Sequence, residues 1–248
     1  MKYLNRAHLY NVYHSDRKLE KRVIYDYDFT HNPLIKVLSN RVSNYKNALD
    51  IGCGTGTVCF YLASKGITTT GIDISKRAID IARINAKQLK IDKMTKFVLD
   101  DFSDSKIVEK FDLIICSEVL EHVNDDIKAL RKIKNLLKPN GEVFLSVPLK
   151  SSFLYRNKLL NKFEVEVGHL RRYNDSDFVR LIKKLNFEVI EVRKNQGVLR
   201  DLLFTSSTKS LIVAIANKYE IVSEALTFID KLFFFFGVSN MTILAKKK

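Results

Sequence analysis

The sequence has no tryptophan, only three prolines, three cysteines and nine glycines in 248 residues. Cys53, Cys59 and Cys116 are too few and too widely spaced for a disulfide framework or a cysteine-built zinc site, so reduced thiols and a cytoplasmic setting are expected. No proline- or glycine-rich stretch and no internal repeat marks a flexible linker, so the length suits one large α/β domain or one such domain with an insertion. No run of 18 apolar residues is present, which argues against a membrane-spanning helix. Met1 to Val12 is polar and aromatic and lacks the apolar core of a secretory signal. Acids are also short, 28 against 42 lysines and arginines, for a net charge of +14. That surplus favours nucleic acid, an anionic membrane surface or an anionic substrate, although solvated lysine-rich faces account for it equally well. With 46% hydrophobic residues the chain nonetheless reads as globular.

The scarce glycines are not scattered. Three of the nine stand at every second position in Ala48-Leu49-Asp50-Ile51-Gly52-Cys53-Gly54-Thr55-Gly56-Thr57-Val58. A short apolar run closing on an acid, a turn without side chains and a resumed apolar run read as strand, binding loop and helix start. Such a loop lets a ligand lie against the backbone, next to unpaired N–H groups. The dinucleotide fingerprint fails because Thr57 follows where its third glycine belongs, and no lysine follows for a P-loop. Asp50 at the strand end suits a cationic ligand better than a phosphate. With its acid-x-Gly-x-Gly-x-Gly order, the chain resembles the class I S-adenosylmethionine (SAM) dependent methyltransferases. SAM carries an ammonium and a sulfonium but no phosphate.

Downstream residues extend the resemblance. A second strand, Thr68 to Ile74, ends at Asp73, 21 positions past Gly52 and near the spacing of about 20 for a carboxylate at ribose hydroxyls. Ser75 caps a helix whose apolar positions run from Ala78 to Leu89. A third strand, Thr95 to Leu99, ends in Asp100-Asp101-Phe102, and the resemblance implies an adenine acceptor at Asp101 or Asp100, with Phe102 against the ring. Strand four, Phe111 to Cys116, is followed by Ser117-Glu118-Val119-Leu120-Glu121-His122-Val123, a block like that of quinone-pathway and other small-molecule O-methyltransferases. A helix over Asp126 to Leu137, a stop at Lys138-Pro139-Asn140-Gly141 and a strand over Glu142 to Pro148 follow. The implied SAM site comprises Asp50, Gly52, Cys53, Gly54, Gly56, Asp73, Ile74, Asp100, Asp101, Phe102 and Ser117, with Asp50 facing the methionine end.

Methyl transfer from a sulfonium needs positioning and, for a hydroxyl acceptor, a base or a metal. If Glu118 to His122 form a helical turn, Glu118, Glu121 and His122 share one face. These three, with His169 from Gly168-His169-Leu170-Arg171-Arg172-Tyr173, fit a divalent ion such as Mg²⁺. The same set resembles the small-RNA 3′-terminal 2′-O-methyltransferases. In many other relatives the first acid lies near SAM and the histidine is a base or structural, so His122, His169 and Glu118 stand as catalytic candidates under either reading. His169 and Tyr173 are expected to orient the acceptor. Arg171 suits an anionic acceptor group, whereas Arg172 is expected to pair with a surface acid.

The expected fold is a Rossmann-like, seven-stranded, mostly parallel sheet with helices on both faces, its last strand antiparallel and a helical insertion before that strand. The expected divisions are a helical cap over 1–45, a SAM-binding core over 46–194, an apolar insertion over 195–239, and a last strand with basic tail over 240–248. In the cap, Leu34, Ile35, Leu38 and Val42 keep helical spacing. Tyr10, Tyr13, His14, Arg17, Arg22, Tyr25 and Tyr27 form an aromatic and basic stretch that closes over substrate in similar enzymes; an exposed capping helix fits it equally. The insertion, ending in Phe233 to Phe236 as part of a helix, reads as a lid over an apolar acceptor, a face lying on a membrane, a dimer surface or added core. The activity implied is methyl transfer to a small or lipid-like acceptor at oxygen, peripheral at a membrane if the insertion serves there. The alternatives are RNA 2′-O-methylation and a SAM-binding regulator without catalysis.

Overall fold

A computed structural model describes residues 6–13, 23–205 and 209–248. Two helices come first, α1 (Arg6–Tyr13) and α2 (Asn32–Leu38), then β1 (Asn47–Ile51), α3 (Thr57–Ser64), β2 (Thr68–Asp73), α4 (Lys76–Gln88) and β3 (Thr95–Leu99). The chain continues through β4 (Phe111–Ser117), α5 (Asp126–Leu136), β5 (Leu137–Pro148), α6 (Phe153–Arg156), α7 (Asn161–Val167), α8 (Asp175–Lys184) and β6 (Phe187–Asn195). It ends with α9 (Val198–Thr205), α10 (Lys209–Ala216), α11 (Glu220–Leu232), a 3₁₀ turn over Phe234–Phe236 and β7 (Asn240–Lys247). His14, Arg17 and Arg22 of the aromatic and basic stretch lie outside the described residues.

The strands form one sheet in the order β3-β2-β1-β4-β5-β7-β6. Pairings among β1 to β5 are parallel, and β7 runs antiparallel to both β5 and β6. The carboxyl ends of β1, β2, β3, β4, β5 and β6 therefore share one edge, joined there by the first residue of β7, Asn240, which pairs with Pro148 and Asn195. Order reverses between β1 and β4, the switch point where open α/β sheets bind ligands.

Strands one and four carry near-continuous apolar runs because both sheet faces are covered. On one face Ala129, Leu130 and Ile133 of α5 and Phe178 and Ile182 of α8 pack on Ile114, Leu145 and Ile243. On the other, Leu34, Ile35 and Leu38 of α2 and Tyr61 and Leu62 of α3 pack on Leu113, Phe144 and Leu244. Each such fully buried side chain contributes roughly 1.5–3 kcal/mol. Ser75 caps α4 by accepting from the Ala78 N–H at 3.2 Å, as the sequence predicts.

Three local expectations change. Glu118 to His122 are not helical: Glu118 has φ +54° and a turn follows. Its amide donates to the Ser146 carbonyl at 3.0 Å, continuing the β4–β5 ladder one residue past the strand, which sets Glu118 apart from Glu121 and His122. Lys138 to Gly141 do not merely stop a helix, since α5 ends at Leu136 and β5 begins at Leu137 opposite Phe111, with a register shift before Leu113. Lys138 holds the irregular corner by donating to Asn47 Oδ1 at 2.8 Å and Asp112 Oδ1 at 3.0 Å. Finally, α11 ends before the phenylalanine run, whose last three residues form the 3₁₀ turn.

Candidate active site

A cavity of about 530 Å³ opens at the shared strand edge, within the ~300–1,000 Å³ of small-molecule sites. One end is lined by Gly52, Gly54, Asp73, Ile74, Asp100, Asp101, Phe102, Ser117 and Glu118. The other is lined by His122, Leu160, Phe163, His169, Arg172, Asp201, Phe204 and Asn240.

The glycine loop makes the first end. Gly52 has φ +71°, and a Cβ there would lie 2.5 Å from Val119 Cγ2. Asp73 accepts from the Gly54 N–H through Oδ2 and from the Ser75 N–H through Oδ1, both at 2.8 Å. Burial raises its pKa, opposed by those backbone donors. A side-chain-free floor, an acid at the strand-two end and the ring of Phe102, 6% exposed, suit an adenosine moiety.

Three predicted contacts fall outside the cavity lining, and a fourth, Asp101, reaches it already engaged. Asp50 and Cys53 do not line the cavity. Asp50 is enclosed beneath the loop, and burial pushes its pKa up to about 7, against a hydrogen bond from Cys59 Sγ at 3.5 Å. Cys53 turns its thiol into the core under Gly71 and Phe97, while its amide is engaged by the Ile72 carbonyl at 3.1 Å. Gly56 lies at the start of α3 at φ +91° and serves packing, for a Cβ would strike Phe60 at 2.6 Å. Asp101 reaches the cavity, but Arg6 Nη2 of α1 sits 2.7 Å from its Oδ2 and the Ser103 N–H engages Oδ1 at 2.9 Å.

Asp50 yields a pH prediction. Its folded pKa lies above the unfolded value of 3.8, so its stabilising contribution is complete below that value and is lost as pH rises through about 7. Asp50→Asn is expected to melt several degrees above wild type at pH 8, using about 2–4 °C per kcal/mol, and to converge with it near pH 4. Thermal melts at both pH values check this, and a gap independent of pH would count against it.

At the second end three acceptors converge. His122 Nδ1 lies 3.2 Å from the Gly168 carbonyl, which can only accept, so Nδ1 carries the proton and Nε2 is bare. Burial, and then His169, lower the His122 pKa to about 4. His169 Nδ1 lies 3.1 Å from Glu164 Oε2. Burial works to raise the Glu164 pKa, but hydrogen bonds from His169 and Arg172 outweigh it and bring it down to about 2. Ionised Glu164 therefore accepts from the His169 Nδ1–H, which turns the Nε2 of His169 toward Glu121. The two Nε2 atoms lie 3.8 and 3.9 Å from Glu121 Oε1. Glu121 is 0% exposed, and neither carboxylate oxygen has a hydrogen-bond partner among the described residues. Burial, then the charge of Glu118, holds its pKa well above the ordinary range. Two imidazole nitrogens and a buried carboxyl group facing one another at 3.8 and 3.9 Å share either the proton that burial favours on Glu121 or a cation in its place.

Glu118 lies near enough to Glu121 to raise its pKa but is not one of the three residues whose ligand atoms gather within 4.8 Å; its Oε1 accepts from Ser146 Oγ and Asn240 Nδ2, each at 2.6 Å. Tyr173 does not face the cavity; its hydroxyl donates to Asp126 Oδ2 at 2.8 Å. Arg171 is tied to the Val123 and Asn124 carbonyls at 2.7 and 2.8 Å and is not placed for an acceptor anion. Arg172 does pair with an acid, but in the buried cavity wall: it grips Glu164 at 2.6 and 3.1 Å and lies 4.7 Å over Tyr155.

Sequence reasoning missed Glu164, which sets the His169 tautomer, and Asp201, which burial pushes up to about 6 while Ser239 and Ser152 donate to it at 2.6 and 3.0 Å. It also missed Arg6 and left open the duty of Tyr10, which meets His122 edge-on at 5.6 Å. The Glu164–His169 spacing of five residues across a glycine turn was the one readable sign.

A family model described as a methyltransferase domain matches residues 21–192. The chain belongs to this methyltransferase family. Among curated relatives, ubiquinone biosynthesis O-methyltransferase of Actinobacillus pleuropneumoniae is 40% identical over 106 residues, covering 41% of this chain and 45% of the relative. The Pseudomonas entomophila protein of the same name is 32% identical over 133 residues, covering 53% and 56%. The matches thus span about half the length of these relatives. Among solved structures, geranyl diphosphate C-methyltransferase of Streptomyces coelicolor superposes with a TM-score of 0.67 at 12% identity, covering 99% of both chains. Phosphoethanolamine N-methyltransferase 2 of Haemonchus contortus, solved with SAM, superposes at 0.60 with 20% identity, covering 82% of this methyltransferase and 48% of that chain. At such identities the likeness is one of fold, and that fold is the seven-stranded class I arrangement.

Proposed function

We propose that this methyltransferase moves the methyl group of SAM to a hydroxyl oxygen of a small, lipid-like acceptor. The observation that carries the reading is the convergence of Glu121, His122 and His169 at one end of a cavity whose other end suits an adenosine moiety. SAM would supply an electrophilic methyl carbon on sulfur. Asp73 would hold the ribose hydroxyls, Gly52 and Gly54 would let the ligand lie on the backbone, and Phe102 would cover the base. Glu118, oriented by Ser146 and Asn240, would stand beside the methionine end as a fixed negative charge. Leu160, Phe163 and Phe204 would enclose an apolar acceptor. Names of the curated relatives support a quinone-pathway type of acceptor.

The residues fit a divalent cation: Glu121 through a carboxylate oxygen, His122 and His169 through Nε2, with Glu164 and the Gly168 carbonyl fixing the imidazoles from behind. A bound cation would acidify the acceptor hydroxyl. Without Glu118 the donor set is richer in imidazole, which suits Zn²⁺, Mn²⁺ or Fe²⁺ better than Mg²⁺. With no cation, bare His122 Nε2 is the group placed to take the hydroxyl proton. Labelled SAM offered with hydroxylated quinone precursors and with small-RNA 3′ ends, in buffer holding EDTA or each metal, tests the reading. Transfer only to RNA would overturn the acceptor class, and EDTA-insensitive turnover would retire the cation.

A further inference from the structure

Away from the large cavity lies a second cleft of about 270 Å³, where α2, the end of β6, α9 and α11 meet. Five cations line it: Lys36, Arg193, Lys194, Arg200 and Lys231. Arg193 is paired with Glu191, and Lys194 with Asp175 at 2.5 Å. Lys36, Arg200 and Lys231 have no ion pair within 4.0 Å among the described residues; burial brings the Arg200 pKa down to about 10 against the charges of Asp230 and Asp28, and its Nη2 donates to Thr227 Oγ1 at 3.4 Å. Arg200 is 3% exposed, its guanidinium 3.9 Å over the Phe29 ring, and its Nε–H finds no hydrogen-bond partner among the described residues. The carboxylate in the cleft, Asp230, is engaged by the backbone N–H groups of Gly197 and Arg200 at 2.7 and 2.9 Å. Burial, then the nearby Lys231 charge, lowers the pKa of Lys36, with Glu224 opposing. A concave site with surplus positive charge and an unused buried donor is built for an anion.

The wall of that cleft is a helix with apolar residues on two sides, for Val222 and Leu226 pack inward on Phe29, Leu203 and Ala216 while others face out. At 100° per residue, Ser223, Thr227 and Asp230 of α11 point inward, and Ser223 and Asp230 are 0% and 3% exposed. Its outward stripe is Ile221, Phe228 and Leu232, 82%, 65% and 57% exposed, with Glu220 and Glu224 along one flank. Neighbouring α10 repeats the pattern with Leu211 at 69%, and Phe235 just past α11 is 76% exposed. Apolar residues turned outward on two adjacent helices need a cover. A soluble phosphate would use the cleft and leave the stripe bare, and a second protein would cover the stripe without needing the cleft. Lys231 lines the cleft and is itself exposed next to Leu232 of the stripe. An anionic lipid surface therefore meets the rim of one and the face of the other, and a chain of net charge +14 is drawn to it.

We propose that the cleft between Lys36, Arg200 and Lys231 holds the phosphoryl headgroup of an anionic lipid, with the outer faces of α10 and α11 and Phe235 resting in the bilayer surface. The inference does not depend on the acceptor assigned above. It does place the bilayer next to that acceptor's end of the large cavity, because Phe204 and Thr205 of α9 line the cavity and α9 packs on α10 and α11.

Co-sedimentation of the full chain with phosphatidylcholine vesicles, with and without phosphatidylglycerol, tests it. Binding is expected only with the anionic lipid. The Lys36→Glu/Lys231→Glu and Phe228→Ser/Phe235→Ser variants are each expected to lower partitioning by at least about tenfold, while S-adenosylhomocysteine affinity, which reports the folded core, stays within about twofold. Equal binding to both vesicles, or loss in only one of the two variants, would overturn the joint site. Inorganic phosphate held in the cleft without vesicle binding would assign it to a soluble anion and overturn the lipid. A concentration-dependent dimer that Phe228→Ser/Phe235→Ser dissociates would reassign the stripe to a second copy.

Discussion

Asp73→Ala is expected to weaken S-adenosylhomocysteine binding by about a hundredfold in calorimetry, about 2.8 kcal/mol, the worth of one strong hydrogen bond to a charged group. Both Asp73 oxygens already accept backbone N–H groups, from Gly54 and Ser75, so the side chain shapes the loop as well as offering lone pairs to the ribose. Asp73→Asn keeps the size but turns an amide donor toward one of those N–H groups, and an intermediate loss is expected. Asp101→Ala should cost less, since that carboxylate is already held by Arg6 and Ser103. An Asp73→Ala protein that is folded by circular dichroism and binds as wild type does would remove the ribose role and, with it, the assignment of this end of the cavity.

Glu121→Met carries the second large effect, and its two readouts run in opposite directions. Turnover should fall by about a thousandfold, the upper range for deleting one transition-state electrostatic group. Stability in EDTA should rise by several degrees, because a buried carboxylate with both oxygens unpartnered costs about 1–3 kcal/mol and the thioether does not. With a divalent metal present the order should reverse: wild type gains from the added ion and Glu121→Met does not. Wild-type melting that ignores both EDTA and metal would show that a proton, not a cation, sits among Glu121, His122 and His169. Metal analysis of the purified protein gives a readout independent of activity.

Much of the fold was legible because it depends on short-range patterns. The apolar runs of β1 and β4 signal strands covered on both faces, Ser75 signals a cap, and an acid ends β2 at Asp73. Chain order then sends those acids to one sheet edge, since parallel strands place all their carboxyl ends together. The failures have local physical causes. Glu118 sits in a left-handed conformation that the periodicity of a helix cannot anticipate, and it is held there by its N–H donating to the Ser146 carbonyl on the neighbouring strand. Cys53 and Gly56 share the motif with Gly52 and Gly54, yet the Cys53 thiol turns down against Gly71, and Gly56 already stands at the start of α3 against Phe60, so these two serve packing.

The order of motifs along the chain, and the family resemblance it carries, thus pointed to the class of fold, a SAM-type binding loop and the pair His122 and His169 as residues of interest. Only the tertiary structure decided which of their neighbours act with them. Glu121 joins the cluster and Glu118 leaves it because a turn, not a helix, follows β4. Glu164 sets the His169 tautomer because Gly168, at φ +76°, folds the chain back on itself. The outward apolar face of α11 and the cations beside it come from α2, β6, α9 and α11, up to about two hundred residues apart in sequence. Charge and hydrophobicity are written in the chain, but the direction in which a side chain faces is set by what packs on the opposite side of its element.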